Sequence, residues 1–595
     1  MPDGHAKLPV VGGWLGAITF LLFVLLPFRE VLFPVWPAAN VFFLAVLGGT
    51  SLALIWGGEY PLPRSLVVQC LIAWLLIQLL RAPDWDKAFG LVEAWGSSFL
   101  LAGCCLVFFR RKCIWRWVFV FGLWGLATFI SVLNPSWQIP VDQMEQALSE
   151  ETLDPEYRDA ILHAAAQQRF HFPFGNPIDL GVFLSISLLA IPFFGSLIRQ
   201  QGSSIILWSG LAVSAGLQLF VLWGTRSRTP LLGLLAGILV QVIFYRGFSR
   251  RSLISLVCAG VVLITMLVAS PGGRAMLSRT ETVHARLIYW EAASRLARME
   301  PLLGAGIGGY GAWYPSLRGL TPHQTLYPHN ILLEVMTDTG AVGLLLFVFG
   351  VIQLGAHFFK NLSRSPENIW RGSALACFFI ATLVGFHHNI APLLALAAII
   401  AVLPANIDAA PKQIRASTRG MRILWGIGIG VFILLASLRS YSHVLFDQAS
   451  QSFQRDHDAV SCLRNLDRSL FFWPPYPDAL SYRAGLAAEM RNLASAEKDL
   501  KAALSWSPQT AYLHDQLADV YAVQGKKEQA LNEVRKAVAL HPVKWSYHEH
   551  ASRLLFQLGR KEQAREERLK AEALKPFEPQ YGEALKASLP SADSR

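Results

Sequence analysis

Apolar runs that can cross a bilayer as helices recur along the chain from residue 9 to about residue 438, and thirteen can be delimited. They cover 9–27, 32–56, 66–80, 89–109, 114–133, 177–197, 204–223, 230–245, 252–269, 340–359, 372–386, 390–404 and 421–438. A hydrocarbon core roughly 30 Å thick asks for about 20 apolar residues, and the runs at 372–386 and 390–404 are short for it. Between 270 and 339 a long polar segment interrupts the series. Its stretch ARLIYWEAASRLARMEPL has helical spacing, with Leu287, Trp290, Ala293 and Leu296 expected to bury one face and Arg286 near the start.

After residue 439 the pattern becomes amphipathic and periodic. Pro474, Pro508, Pro542 and Pro576 stand 34 residues apart, the tetratricopeptide repeat length. The clearest unit, 511–544, places Leu517, Ala518 and Tyr521 on a first helix, Gly525 in the turn, and Ala530, Val534 and Ala537 on a second. Neighbouring units keep Ala496 and Ala503, then Gly559, Ala564 and Ala571. Three such units are about the minimum that can share one core. The expected fold is therefore all-α: a polytopic membrane domain over 1–438 with 12–13 transmembrane helices, a linker over 439–473, and an α-solenoid over 474–595. Arrays of this kind commonly bind a protein segment, so a protein partner is expected there without being named by the sequence.

Composition fixes the compartment. Of 595 residues 53% are hydrophobic and only 16% charged, with a mean hydropathy of +0.39, which is too apolar for a soluble protein of this length. With the N-terminus inside, the inward loops collect RRKCIWR (110–116), RGFSRR (246–251), KNLSRSPENIWR (360–371) and KQIRASTRGMR (412–422), as cytoplasmic loops should. That assignment puts 134–176, 224–229, 270–339 and everything after about 439 outside. The first span lacks a small-residue cleavage site and is expected to be a retained anchor. The net charge of +11 is accounted for by loops facing anionic lipid, and no nucleic-acid partner is inferred. Seven cysteines, six of them in spans or inward loops, imply no disulfide framework.

Several polar groups resist the topology. The outward turn GTRSRT (224–229) carries Arg226 and Arg228 where short loops normally lack arginine. Such arginines suit a phosphate held in bidentate fashion; the plainer alternative is snorkelling to headgroups. The 270–339 segment holds six arginines and no lysine, among them Arg286. GAGIGG (304–309) has the G-x-G-x-x-G form, but no strand precedes it and no acid follows at the ribose-binding distance. It is expected to be a turn, with its backbone amides available to an anion. In YPHNILLEVMTDTGAVG, His329 is expected in the first turn of a helix and Asn330, Glu334 and Asp338 on one face of it. DWD at Asp84–Asp86 imitates a metal-binding D-x-D, and the adjacent His387 and His388 have spacing unsuited to chelation from one helix face.

Taken together, RTPLLGLLAG after the arginine turn, RLIYWEAASRLARMEPLLGAGIGGYG in the long outward segment and HNILLEVMTDTGAVGLLLFV entering the next span resemble the O-antigen ligase and polymerase superfamily of bacterial envelope glycosyltransferases. The likeness covers roughly 200–405; Asp338 stands where that family more often has glutamate. The resemblance implies transfer of a glycan from an undecaprenyl diphosphate carrier in the inner membrane to lipid A-core, a growing polysaccharide or a protein, on the periplasmic side. It implies that His329 activates the acceptor hydroxyl and that Arg226, Arg228 and Arg286 hold the diphosphate, with Asn330 and Glu334 beside the substrate. It implies neither a metal nor another cofactor. A flippase for lipid-linked sugars and a membrane-anchored repeat scaffold are the rival readings.

Overall fold

The computed structural model describes residues 37–56, 65–109, 176–200, 204–246, 281–320, 325–360, 365–402 and 419–575, with a few isolated positions beside them. All but single residues of the expected spans 9–27, 114–133 and 252–269, and most of the cationic loops, lie outside the described residues. Every regular element among the described residues is helical. The first seven are α1 (Pro37–Trp56), α2 (Leu66–Leu80), α3 (Trp85–Phe109), α4 (Pro177–Leu188), α5 (Ile191–Gln200), α6 (Ile205–Gly224) and α7 (Arg228–Arg246). Six follow them: α8 (Glu281–Met299), α9 (Gly309–Leu317), α10 (Ile331–Lys360), α11 (Pro366–Thr382), α12 (Ala391–Val402) and α13 (Arg419–Asp456). The repeat region adds α14 (Ala459–Phe472), α15 (Pro477–Glu489), α16 (Leu493–Trp506), α17 (Ala511–Val523), α18 (Lys527–Leu540), α19 (Trp545–Gln557) and α20 (Lys561–Leu574).

Six stretches among the described residues are long and apolar enough to span: 85–105, 177–200, 205–224, 228–245, 331–356 and 419–455, with shorter apolar helices at 40–56, 66–80 and 391–401. The protein is thus a multi-pass membrane protein. Local chemistry sets the helix starts. Asn176 and Ser365 lend side-chain oxygens to the amides of Ile178 and Asn368, and each is followed by proline at the first helical position. The stretch 177–200 is central, with 78% of it buried, whereas 205–224 and 419–455 are 17% buried. Leu219, Phe220, Leu424, Ile427 and Leu434 point outward, as lipid contact requires. Helix α4 lies against α7 and α11, which run along each other, and Gly181 lets it do so: a Cβ there would fall 2.4 Å from the Pro230 ring.

Helix α10 is not continuous. Gly340 in α10 has φ +67° and ψ −172°, which breaks the helix and strands backbone groups on either side of it. Residues 301–306 pair with them. Ala305 and Gly306 donate to the carbonyls of Thr337 and Asp338 at 2.8 and 3.0 Å, while the amides of Ala341 and Val342 reach Pro301 and Leu302 at 2.9 and 3.4 Å. The Asp338 carboxylate then accepts from the amides of Gly308 (2.8 Å) and Tyr310 (3.1 Å), capping α9 from another helix. Two amides of the glycine turn are thus taken by a side chain of the chain itself.

The stretch 439–473, expected as a linker, is helical. Helix α13 continues 18 residues past 438 without interruption and pairs with α14 as the first hairpin of the repeat array. The register shows it. His457, Arg491, Gly525 and Gly559 occupy equivalent turns, all with positive φ (50°, 62°, 79°, 79°), and Cys462, Ala496, Ala530 and Ala564 fill equivalent buried crossing points. The first unit is hidden in the sequence because it has Ser440 and Cys462 where the others have proline and alanine, and His457 where the last two have glycine.

The array is seated on the membrane part through positions 34 residues apart. Trp473 Nε1 donates to Asp86 at 2.8 Å, Ser507 Oγ to Asp84 at 3.0 Å, and Arg318 Nη2 to His541 Nε2 at 2.9 Å. Each of the three repeat residues is the C-cap of a second helix. Asp86 also takes both arms of Arg439 from α13 (2.8 and 3.1 Å), and Trp85 packs against Trp473 and Trp506. The oxygens of the D-x-D pair are therefore engaged in docking the repeats.

Two outcomes are expected from this architecture. Gly340→Ala would place a Cβ 2.2 Å from the Leu302 carbonyl at a left-handed φ and should lower stability by about 1–3 kcal/mol or more. Gly350→Ala, in open space within the same helix, should leave the melting temperature of the detergent-solubilised protein unchanged. Burial, and then the charges of Arg318 and Lys544, hold the His541 imidazole down to about 3 from its ordinary 6.5. Its neutral form is the one the fold uses, so its contribution is complete above about pH 6.5 and is lost as pH falls toward 3. Melting curves should show a shallower acid loss between pH 6.5 and 4 for His541→Gln than for the parent.

Candidate functional site

The candidate site lies where α7 begins, α8 crosses and α10 starts. In the turn 225–228 Thr225 and Ser227 are buried, with their hydroxyls bonded to the carbonyls of Leu222 (2.7 Å) and Thr225 (3.0 Å). Arg226 takes a left-handed φ of +47° and is exposed, while Arg228 opens α7. Arg286 comes from α8, with Nη2 3.5 Å from the Thr229 hydroxyl. Burial, then the neighbouring Arg228 charge, lowers the Arg286 guanidinium from its ordinary value. Among the described residues no carboxylate lies within ion-pair distance of Arg286. Two like charges brought this close raise the local positive potential.

One turn along α8, Tyr289 stacks on the His329 ring at 5.3 Å and 19°. Phe386 meets the same ring edge-on at 5.1 Å and 81°. His329 is not in the first turn of a helix, as the spacing predicts. It precedes the cap with φ +54°, a strained conformation for a non-glycine residue, and stands half-buried between two aromatic rings. The buried face of α8 also differs from expectation: Ala285, Tyr289, Ala292, Ala293 and Leu296 are inside, whereas Leu287 is 55% exposed. The reason is tertiary, since Tyr289 packs against Tyr310 and Tyr314 of α9, and the Tyr310 hydroxyl donates to the Tyr289 carbonyl at 3.2 Å.

Asn330 and Glu334, expected beside the substrate, are engaged within the protein. The Asn330 side-chain oxygen caps α10 by accepting from the amides of Leu332 (3.0 Å) and Leu333 (3.2 Å). Glu334 is 5% exposed and accepts from Asn389 Nδ2 at 2.6 Å, with His388 Nε2 3.1 Å from its other oxygen, off hydrogen-bond geometry. Asn389 in turn accepts from Trp95 Nε1 at 3.1 Å.

The turn 386–389, whose histidine pair the sequence offers only as a spacing unsuited to chelation, borders the site. His387 is buried and its Nδ1 lies 2.6 Å from Asp179 on α4, while its Nε2 is buried with no partner. Ionisable side chains inside a membrane protein are expensive, and each here meets a complement. The available signal was a polar HHN run between two apolar helices together with an aspartate in an apolar one. Asn389→Leu should leave Glu334 and Trp95 each short of a partner, costing roughly 1–3 kcal/mol per group, read as a lower melting temperature in detergent.

Parts of the chain are similar to known proteins. The family profile described as O-antigen ligase matches residues 212–348, which hold Arg226, Arg228, Arg286 and His329. The teichuronic acid biosynthesis protein TuaE of Bacillus subtilis (strain 168) is 26% identical over 232 residues, covering 35% of this chain and 46% of that protein. The chain thus spans about half the length of the curated relative it matches. Among solved structures, MamA from Desulfovibrio magneticus RS-1 is similar at 19% identity, covering 26% of this chain and 90% of that one with a TM-score of 0.22. The APC/C hetero-tetramer Cut9-Hcn1 is similar at 12% identity, covering 96% and 99%, also with a TM-score of 0.22.

Proposed function

We propose that this chain, which carries an O-antigen ligase domain over residues 212–348, transfers a glycan from a polyprenyl diphosphate carrier to an acceptor hydroxyl at the periplasmic face of the bacterial inner membrane. The observation that carries the proposal is the double role of α8. It presents Arg286 to the arginine turn and, one helical turn on, seats Tyr289 against His329, so the cationic and the imidazole elements share one rigid support.

The chemistry follows from that arrangement. The carrier keeps its diphosphate at the lipid boundary, and Arg226, Arg228 and Arg286 receive it there. The acceptor oxygen attacks the anomeric carbon as the bond from that carbon to the diphosphate oxygen breaks, and the electron pair leaves with the diphosphate. Guanidiniums already in place stabilise the charge that grows on it, more strongly than they would in water. Arginine stays protonated throughout. The acceptor's proton passes to the His329 imidazole, which serves as general base. A single in-line displacement inverts the anomeric centre.

Asn330 and Glu334 serve this reading by building the start of α10 and holding the 386–389 turn that carries Phe386 to the His329 ring. The glycan, the choice among lipid A-core, polysaccharide and protein acceptors, and any partner bound by the repeats lie beyond these side chains. A flippase would also use arginines for a diphosphate cargo, but it gives the fixed imidazole beside them no task.

In purified, reconstituted protein, His329→Ala should still bind carrier-linked glycan and lose transfer by about 10²-fold or more. Arg286→Gln should weaken both carrier binding and turnover, and Arg286→Lys should recover only part because the fork is lost. Undiminished transfer by His329→Ala would end the assignment of the base.

A further inference from the structure

The short helix α9 is held at both ends by other parts of the chain. At its N-terminus Asp338, from the helix that follows His329, accepts from the amides of Gly308 and Tyr310. At its C-cap, Arg318 donates from Nη2 to His541 Nε2 of the repeat array at 2.9 Å. Arginine has no acceptor, so the imidazole nitrogen must be the one that accepts. Between these clamps α9 presents Tyr310 and Tyr314 to Tyr289, with the Tyr289 and Tyr314 rings 5.7 Å apart at 78°. Tyr289 in turn stacks on the His329 ring at 5.3 Å. An unbroken series of packed groups therefore runs from the third inter-repeat turn to the imidazole proposed as the base.

We propose that His541 and Arg318 are positioning residues for His329, so that the repeat array is one wall of the transferase site and not a freely hung adaptor. The array can act as a wall because it is anchored independently. Its first hairpin grows out of the membrane helix α13, and two further turns are tied to Asp86 and Asp84. With the array immobile, the contact at His541 fixes where α9 ends, and α9 fixes how far Tyr289 can swing away from His329. A ring displaced by about 1 Å from its attacking geometry costs up to 10²-fold in rate without altering carrier binding. This inference rests on the transfer reading above for its kinetic consequence but not for its structural one.

The test uses the full-length protein reconstituted with a carrier-linked glycan. His541→Ala and Arg318→Ala should each lower kcat about 10- to 100-fold with the donor KM nearly unchanged, and the double variant should be no worse than either single one. His541→Gln, which offers Arg318 a neutral carbonyl oxygen, should recover most of the turnover, whereas His541→Leu, which only fills the space, should not. Amide exchange over residues 309–317 should quicken in the alanine variants. Parental kcat in His541→Ala, or equal rescue by leucine and glutamine, would overturn the proposal. If the parent protein itself transfers nothing, the transfer reading has failed, and unchanged exchange over 309–317 in His541→Ala would then refute the brace on its own.

Discussion

The break at Gly340 is the constraint on which the rest of the structure depends. A spanning helix normally keeps its backbone satisfied by continuing, and this one is interrupted and restarts. The stranded amides and carbonyls are met by residues 301–306, whose glycines permit backbone to lie against backbone: a Cβ on Gly304 would sit 2.5 Å from the Gly340 nitrogen. Joining those two segments brings α8 and α9 over the start of α10. Without it His329 would have no aromatic wall and Arg286 no fixed distance from the arginine turn.

The polar groups around this junction divide into two kinds. Glu334, Asp179 and Asp86 are buried and spend their oxygens on Asn389, His387 and Arg439, which keeps the cost of their burial down and locks separate helices together. Arg226 and Arg286 differ, because neither faces a carboxylate among the described residues. Each of those buried acids thus has a partner within the chain, whereas Arg226 and Arg286 have no carboxylate beside them among the described residues. That contrast supports a diphosphate ligand more strongly than a count of arginines would.

The repeat region gains its orientation from covalent continuity and its position from periodicity. Because α13 passes from membrane span into the first repeat hairpin without a joint, the array inherits the direction of the span. Equivalent C-cap residues 34 positions apart then fall in a row, and three of them, Trp473, Ser507 and His541, meet Asp86, Asp84 and Arg318. A repeating solenoid presents the same edge at every step, so an edge that docks once can dock repeatedly.

What the sequence determined by itself was what repeats or what lipid demands: the apolar runs, the 34-residue period from Pro474 onward, and the motifs around Arg226, Arg286 and His329 that place the chain beside the O-antigen ligases. These are legible because membrane thickness and repeat length impose regular spacing on the residues. The tertiary structure alone decided that Asp338 caps α9, that Asn330 and Glu334 build the site's frame, that Asp84 and Asp86 anchor the repeats, and that His387 pairs with Asp179 across 208 positions. A carboxylate looks the same in a sequence whether it will meet a substrate, a helix end or an arginine. Its partner is chosen only when distant segments pack, and no local period records that choice.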